Sequence, residues 1–178
     1  MKVSDFIVSE LIRLGVRRYY CVPGGNSMYL NDAMGHSALQ PIYCLHESGA
    51  AFAAHGEAAY TGKLSVCLVT SGPGSTNALT GCASAWCDSL PVLFISGDTR
   101  TPLLDDKEKY GLRQAGQQDV SIIEMVRTIT KHSAIVGLSS EWVKRWFSVL
   151  ADSAMTPRRG PVWLNIPLDV QKMNMEDA

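Results

Sequence analysis

The feature that most constrains the fold is a repeated alternation between short apolar runs and segments with helical spacing. The strongest candidates for strands are YYCV (19–22), PIYC (41–44), SVCLVT (65–70), PVLFIS (91–96), HSAIV (132–136) and PVWLNI (161–166). Strands that are buried on both faces read as continuous apolar runs, and helices between them favour parallel pairing. The sequence therefore predicts an α/β fold in three layers, α/β/α, around a six-stranded, mostly parallel sheet.

Helices are expected between these runs, where apolar residues recur every three or four positions. The predicted segments are 3–14, 28–34, 47–60, 75–86, 120–127 and 141–154. Gly15 follows the first of them as a natural C-terminal stop. The polar segment 98–118 carries no such periodicity, and its charged stretch DDKEK (105–109) is interpreted as a solvated loop.

Length and composition indicate one domain with a sizeable core. The chain has 178 residues, of which 46% are hydrophobic and 19% charged, as is usual for a globular protein. We expect residues 1–170 to form the domain and residues 171–178 to be a truncated linker or tail. A net charge of −1 with scattered Lys and Arg gives no nucleic-acid footprint. No apolar run is long enough to cross a bilayer.

Five cysteines, an odd number, are spread along the chain, and none has zinc-ligand spacing with another Cys or His. Several lie in apolar runs, where Cys behaves as a small hydrophobic residue. We interpret them as reduced residues of a cytoplasmic protein and expect no metal site in this chain.

The polar and glycine-rich residues follow the ends of the predicted strands. Pro23-Gly24-Gly25 follows the first, Glu47 the second, Thr70–Asn77 the third, and Gly97-Asp98 the fourth. Ligands of open α/β sheets bind outside the carboxyl ends of the strands. The sequence therefore predicts a ligand site at this edge.

Two simpler explanations apply to these features one at a time. The turn SGPGSTN (71–77) could bind phosphate at a helix N-terminus, but it lacks the Lys that follows the last glycine of a P-loop. An isolated Glu47 could merely complement the positive end of a helix dipole. The turn could also serve only to pack a strand closely against a helix.

Taken together, five separated motifs resemble a known family. They are PGGNSMYLNDAM, HESGAAFAAHGEAAYTGK, VCLVTSGPGSTNALTGCASAWCDSLPVLFISG, ITKH and GPVWLNIPLDVQ, in this order. The chain resembles, over residues 1–171, the N-terminal pyrimidine-binding domain of thiamine-diphosphate enzymes of the acetolactate synthase type. The resemblance implies the thiamine-diphosphate-binding fold.

The resemblance also assigns roles to single residues. Glu47 matches the glutamate that hydrogen-bonds N1′ of the cofactor's aminopyrimidine and favours the tautomer that removes the thiazolium proton. Gln118 matches a glutamine on the substrate side. The residues matching the pyrimidine pocket are Pro23, Gly24, Gly25, Thr70, Pro73, Gly74 and Asn77. Ser48 departs from the family's HEQ wording, and its hydroxyl is expected to cap the helix.

The resemblance implies a shared cofactor site. In this family the pyrimidine domain of one subunit meets the diphosphate domain of another, and the latter carries Mg²⁺ through a GDG motif. No such motif occurs here, so Mg²⁺ is expected only in a missing diphosphate-binding domain or subunit. Flavin (FAD) could belong to the parent enzyme but not to this domain.

The implied function is the pyrimidine-binding half of a 2-oxo acid carboligase or decarboxylase with a pyruvate-type donor. The isolated chain is expected to be inactive and to form a homodimer or larger assembly through residues 74–90. The alternative is a non-catalytic dimerisation or regulatory module that retains the fold. The presence of Glu47 favours the enzyme, since a purely structural domain does not need that carboxyl group.

Overall fold

The sheet is the centre of the fold. A computed structural model describes residues 1–175 of the protein. Within them, six strands form one sheet in the order β2-β1-β3-β4-β6-β5, and every neighbouring pair is parallel. The strands are β1 (Arg18–Cys21), β2 (Gln40–Tyr43), β3 (Ser65–Val69), β4 (Val92–Asp98), β5 (Ser133–Ile135) and β6 (Val162–Pro167). The predicted six-stranded α/β/α fold is confirmed, with a sheet that is wholly parallel.

Helices cover both faces of the sheet. In the described part of the chain they are α1 (Val3–Arg13), α2 (Met28–Gly35), α3 (Glu47–Thr61), α4 (Pro73–Asn77), α5 (Leu79–Cys87), α6 (Thr101–Tyr110), α7 (Ile122–Val126), α8 (Ser140–Met155) and α9 (Leu168–Lys172). A short 3-10 helix, Gly25–Ser27, leads into α2.

Two hydrophobic cores lie on opposite sides of the sheet. On one side α1 and α8 bury large side chains such as Leu11 and Phe147. On the other side α3 and α5 bury mostly small side chains, Ala54 and Cys82 among them. Strands β3, β4 and β6 are buried along their whole length, as their continuous apolar runs predict.

Small residues allow α3 and α5 to pack closely. A Cβ atom at Gly81 of α5 would lie 2.4 Å from the Cβ of Ala51 in α3 and 2.9 Å from its carbonyl carbon. Such distances are shorter than van der Waals contact, so only glycine fits at residue 81 while the helices keep this spacing. The contact fixes α3, which begins at Glu47, against its neighbour.

The interpretation of 105–109 as a loop is wrong, because these residues belong to α6. Pro102 lies in the first turn of this helix, and Gly111 ends it with a φ of 60°, as is typical of helix boundaries. None of its residues is fully buried, so the helix has no apolar stripe for the sequence to reveal. The predicted helix 75–86 is also two helices, α4 and α5, which meet at Ala78.

The end of the described chain packs against its beginning. Gln171, at the start of the predicted tail, is fully buried in α9. Asn174 pairs with Lys2 in an isolated antiparallel bridge. The remaining residues of that predicted tail, 176–178, lie outside the described residues, and the boundary near 170 stays a prediction. Among the helices of residues 1–175, none is long and apolar enough to cross a membrane.

Candidate functional site

Glu47 lies at the carboxyl edge of the sheet, as the first residue of α3 directly after β2. The helix is capped by His46, whose Nδ1 accepts hydrogen bonds from Ser48 N at 3.2 Å and from Ser48 Oγ at 2.8 Å. Because Nδ1 accepts, the ring proton is on Nε2. The expectation that the Ser48 hydroxyl caps the helix is therefore wrong: His46 caps it, and the hydroxyl contacts His46.

One hydrogen bond orients the Glu47 carboxylate. Asn77 Nδ2, at the end of α4, donates to Glu47 Oε2 at 2.9 Å. In the hydrogen bonds found among residues 1–175, this is the only contact of that carboxylate, and the residue is half-buried. The second oxygen, Oε1, therefore remains available to a ligand.

The glycine-rich turn brings backbone close to this carboxylate. A Cβ atom at Gly74 would lie 2.7 Å from Thr70 Cγ2 and 3.3 Å from Glu47 Oε1, and a Cβ atom at Gly24 would lie 2.4 Å from Thr70 Cβ. The Thr70 side chain thus lies between two glycines from different loops. Side chains at Gly24 and Gly74 would fill the space around Thr70 and beside Oε1, so the two glycines keep it open to a flat ligand.

Polar side chains that the sequence analysis missed connect the loops of the site. Asn26 Nδ2 donates to Ser71 Oγ at 2.7 Å, and Asn31 Nδ2 donates to the Gly24 carbonyl at 3.3 Å. These bonds tie the loop after β1 to the turn after β3. Three further predicted residues, Pro23, Gly25 and Pro73, are exposed on the rim of the same edge.

Gln118 lies beside the turn rather than against the carboxylate. Its φ is 54°, and its carbonyl oxygen would be 2.0 Å from a Cβ atom at Gly72, which itself has a φ of 61°. Lys107 Nζ donates to the buried carboxylate of Asp119 at 2.8 Å. This ion pair from α6 holds the segment on which the exposed Gln118 lies.

A buried polar chain runs from β6 to the end of β4. Trp163 Nε1 donates to Ser96 Oγ at 2.8 Å, and Ser96 Oγ donates to Asn165 Oδ1 at 2.7 Å. The Asn165 amide then donates to Asp98, whose other oxygen accepts from Thr99 N. Burial raises the pKa of Asp98, and the hydrogen bonds oppose that rise. Asp98 also lines a cavity of about 610 Å³ next to α6.

The raised pKa of Asp98 predicts a pH-dependent contribution to stability. Above the ordinary pKa of 3.8 the unfolded chain has lost the proton that folded Asp98 still holds. The free energy of unfolding of the wild type should therefore fall, relative to Asp98→Asn, as the pH rises from below 3.8 through the folded pKa. Urea unfolding of both proteins across this range measures the difference. Parallel pH profiles would contradict the prediction.

Residues 1–175 contain no group of three or more His, Cys, Asp or Glu side chains arranged to hold a metal ion. All five cysteines lie in this part of the chain and are unpaired. The candidate site is thus an organic one: a carboxylate, an amide and exposed backbone.

Comparison with known proteins agrees with this geometry. The model of the family described as "Thiamine pyrophosphate enzyme, N-terminal TPP binding domain" matches residues 1–125. The large subunit of acetolactate synthase isozyme 2 from Escherichia coli K12 is 37% identical over 171 residues, and the chloroplastic acetolactate synthase of Arabidopsis thaliana is 34% identical over 172.

Each alignment covers 96% of this chain but only 30% and 24% of those two proteins, respectively. Acetolactate synthase 1 of Zea mays is 36% identical, with 26% of its length covered. The chain thus spans between a quarter and a third of the length of these relatives. Since the family model matches more than half of the chain, the protein belongs to the family of thiamine pyrophosphate enzyme N-terminal, TPP-binding domains.

Proposed function

We propose that this chain is the pyrimidine-binding half of a thiamine-diphosphate-dependent 2-oxo acid carboligase or decarboxylase that uses a pyruvate-type donor. The observation that carries the proposal is the Glu47 carboxylate at the carboxyl edge of the sheet. Asn77 fixes one of its oxygens and Gly74 leaves the other accessible. Acetolactate synthases are among the relatives.

The residues at this edge fit an aminopyrimidine ring. Glu47 Oε1 would accept a hydrogen bond from the ring, while Thr70, Gly24 and Gly74 would line its faces. When bound, thiamine diphosphate supplies a carbon nucleophile that attacks the 2-oxo group and then stabilises the negative charge left by loss of CO₂. The protein's part is to hold the ring and to exchange a proton with it at Glu47.

The other half of the site would lie outside this chain. We propose that Mg²⁺ and the diphosphate bind to a separate domain or subunit, and that any flavin of the parent enzyme lies beyond residues 1–170. The unpaired cysteines, three of them buried, support a reducing compartment such as the cytoplasm.

Calorimetric titration of thiamine diphosphate with Mg²⁺ tests the proposal. The titration is run on this chain alone and with a diphosphate-binding domain from the same protein or a relative. Binding that requires the added domain and is weakened in Glu47→Gln would support a half-site. No binding under either condition would instead favour the non-catalytic dimerisation or regulatory module.

We also propose that the chain forms a homodimer through the outer face of α3 and α5. Phe52 of α3 is 44% exposed, and it lies among exposed small residues, Gly49, Gly56 and Thr80. Such a surface, apolar and without long charged side chains, is typical of the centre of a protein–protein interface.

Phe52→Arg should therefore shift the protein from dimer to monomer, because it places an unpaired charge in the interface. Sedimentation velocity at micromolar concentration measures the shift. The matched control is Trp142→Arg, at an aromatic residue of α8 that is similarly exposed, 42%, on the other side of the sheet. A wild-type monomer, or equal effects of both substitutions, would contradict the proposed interface.

A further inference from the structure

A second cavity lies at the opposite edge of the sheet from Glu47. Its volume is about 410 Å³, and it is lined by Trp86, Cys87, Lys131, Arg158 and Arg159. All five residues lie close before strands: the first two before β4, the lysine before β5 and the arginines before β6. In a parallel sheet these positions are at the amino edge. We call this feature the basic cavity.

The three cations of the basic cavity have no carboxylate partner among residues 1–175, where the ion pairs involve other side chains. They are instead held by neutral oxygens. Lys131 Nζ donates to two carbonyls at the end of α8, at 2.5 and 2.8 Å. Arg158 Nε donates to Ser89 Oγ at 2.5 Å, and Arg159 donates to the Gly62 carbonyl at 2.8 Å.

These contacts have a simple structural role, since cations favour the carbonyl ends of helices. They do not use up the donors. A guanidinium group has five N–H donors, and in the described hydrogen bonds each arginine uses one of them. Both arginines are also exposed. Most of their donors therefore remain free to bind an anion.

Gly160 keeps the floor of the basic cavity open. It is buried, and a Cβ atom there would lie 3.0 Å from Lys131 Cγ and 3.9 Å from Trp86 Cε3. Its φ is not positive, so backbone conformation does not require glycine at this position. The missing side chain instead leaves room between the lysine stem and the indole ring.

We propose that the basic cavity binds a small phosphorylated molecule with a flat ring, of the nucleoside diphosphate type. Guanidinium groups pair with phosphate oxygens through parallel hydrogen bonds, and the Trp86 indole offers a flat apolar wall for a ring. The cavity volume lies within the usual range of small-molecule sites, about 300–1,000 Å³.

The basic cavity is separate from the proposed thiamine site. Helix α3 has 15 residues and is thus about 22 Å long. Glu47 begins this helix, and Gly62, whose carbonyl Arg159 contacts, caps its other end. Loss of binding in one of the two sites can therefore be measured independently of the other.

Calorimetry on the 178-residue chain at low ionic strength tests the proposal, with adenosine diphosphate, inorganic diphosphate and adenosine as probes. We expect saturable one-to-one binding of adenosine diphosphate and weaker binding of both fragments. Arg158→Gln should raise its Kd about tenfold, the cost of one charge-assisted hydrogen bond. Trp86→Leu should reduce its affinity to that of inorganic diphosphate.

Arg145→Gln is the matched control, because the Arg145 guanidinium lies 5.7 Å from the Trp142 ring centre but lines no part of the basic cavity. This substitution and Glu47→Gln should leave the Kd unchanged. Thermal unfolding of each variant verifies its fold. Absence of saturable binding, or an equal loss in Arg145→Gln, would overturn the site. Equal affinities for adenosine diphosphate and inorganic diphosphate would overturn the ring contact.

Discussion

Replacing Glu47 with glutamine is expected to lower kcat by about 10²–10⁴ when the diphosphate-binding domain is present, the usual size of a general acid–base contribution. Glutamine has the same length, and its amide oxygen can still accept the hydrogen bond from Asn77. The substitution removes only the ability to take up and return a proton at this position. The measurement is steady-state pyruvate consumption at saturating cofactor.

Glu57→Gln is the matched control for this prediction. Glu57 lies in the same helix, but its carboxylate accepts from Ser65 Oγ at 2.9 Å and lies 3.4 Å from Arg18, away from the carboxyl edge. Loss of this partly exposed ion pair should change stability by about 1 kcal/mol at most and leave kcat unaltered. If both variants retained full activity, Glu47 would not be the proton-exchanging group.

Gly97→Ala is expected to lower the free energy of unfolding by about 3 kcal/mol, the upper part of the range for overpacked cores. Gly97 lies near the end of β4, and a Cβ atom there would be 1.9 Å from the Asn26 carbonyl oxygen and 2.4 Å from its carbon. Both sides of this contact are backbone, so no side chain can rotate away. The loop that carries Gly24 and Gly25 must move instead. Urea unfolding measures the loss.

Gly35→Ala provides the comparison, because nothing lies within 4 Å of a Cβ atom at this last residue of α2. This substitution should be neutral or stabilise by up to about 1 kcal/mol, the difference in helix propensity. Equal stabilities for Gly97→Ala and Gly35→Ala would mean that the loop after β1 adapts without cost.

The strands could be predicted because burial leaves a direct mark on their sequences. SVCLV and PVLFI contain no charged residue, and β3 and β4 are buried on both faces. Helix α6 leaves no such mark, since solvent surrounds most of it and its sequence TPLLDDKEKY is also compatible with a loop. Its boundary signals, Pro102 and Gly111, were the available evidence.

The candidate site was predictable where strand ends determine it. Glu47, Thr70 and Asn77 follow neighbouring strands, so a parallel sheet brings them to one edge. The pair Asn26–Ser71 and the ion pair Lys107–Asp119 were not predictable, because such residues in loops are usually solvated. Asn165 did carry a signal: a polar residue inside the run PVWLNI must find a partner once it is buried.

The close packing of α3 against α5 has a consequence for how this protein can change over generations. Ala51 and Gly81 leave no space between the two helices, and α3 carries Glu47 at its first residue. A larger side chain at either position would shift the helix and move the carboxylate with it. Selection for new substrates should therefore accumulate substitutions in the loops around Gln118 and spare the small residues of α3 and α5.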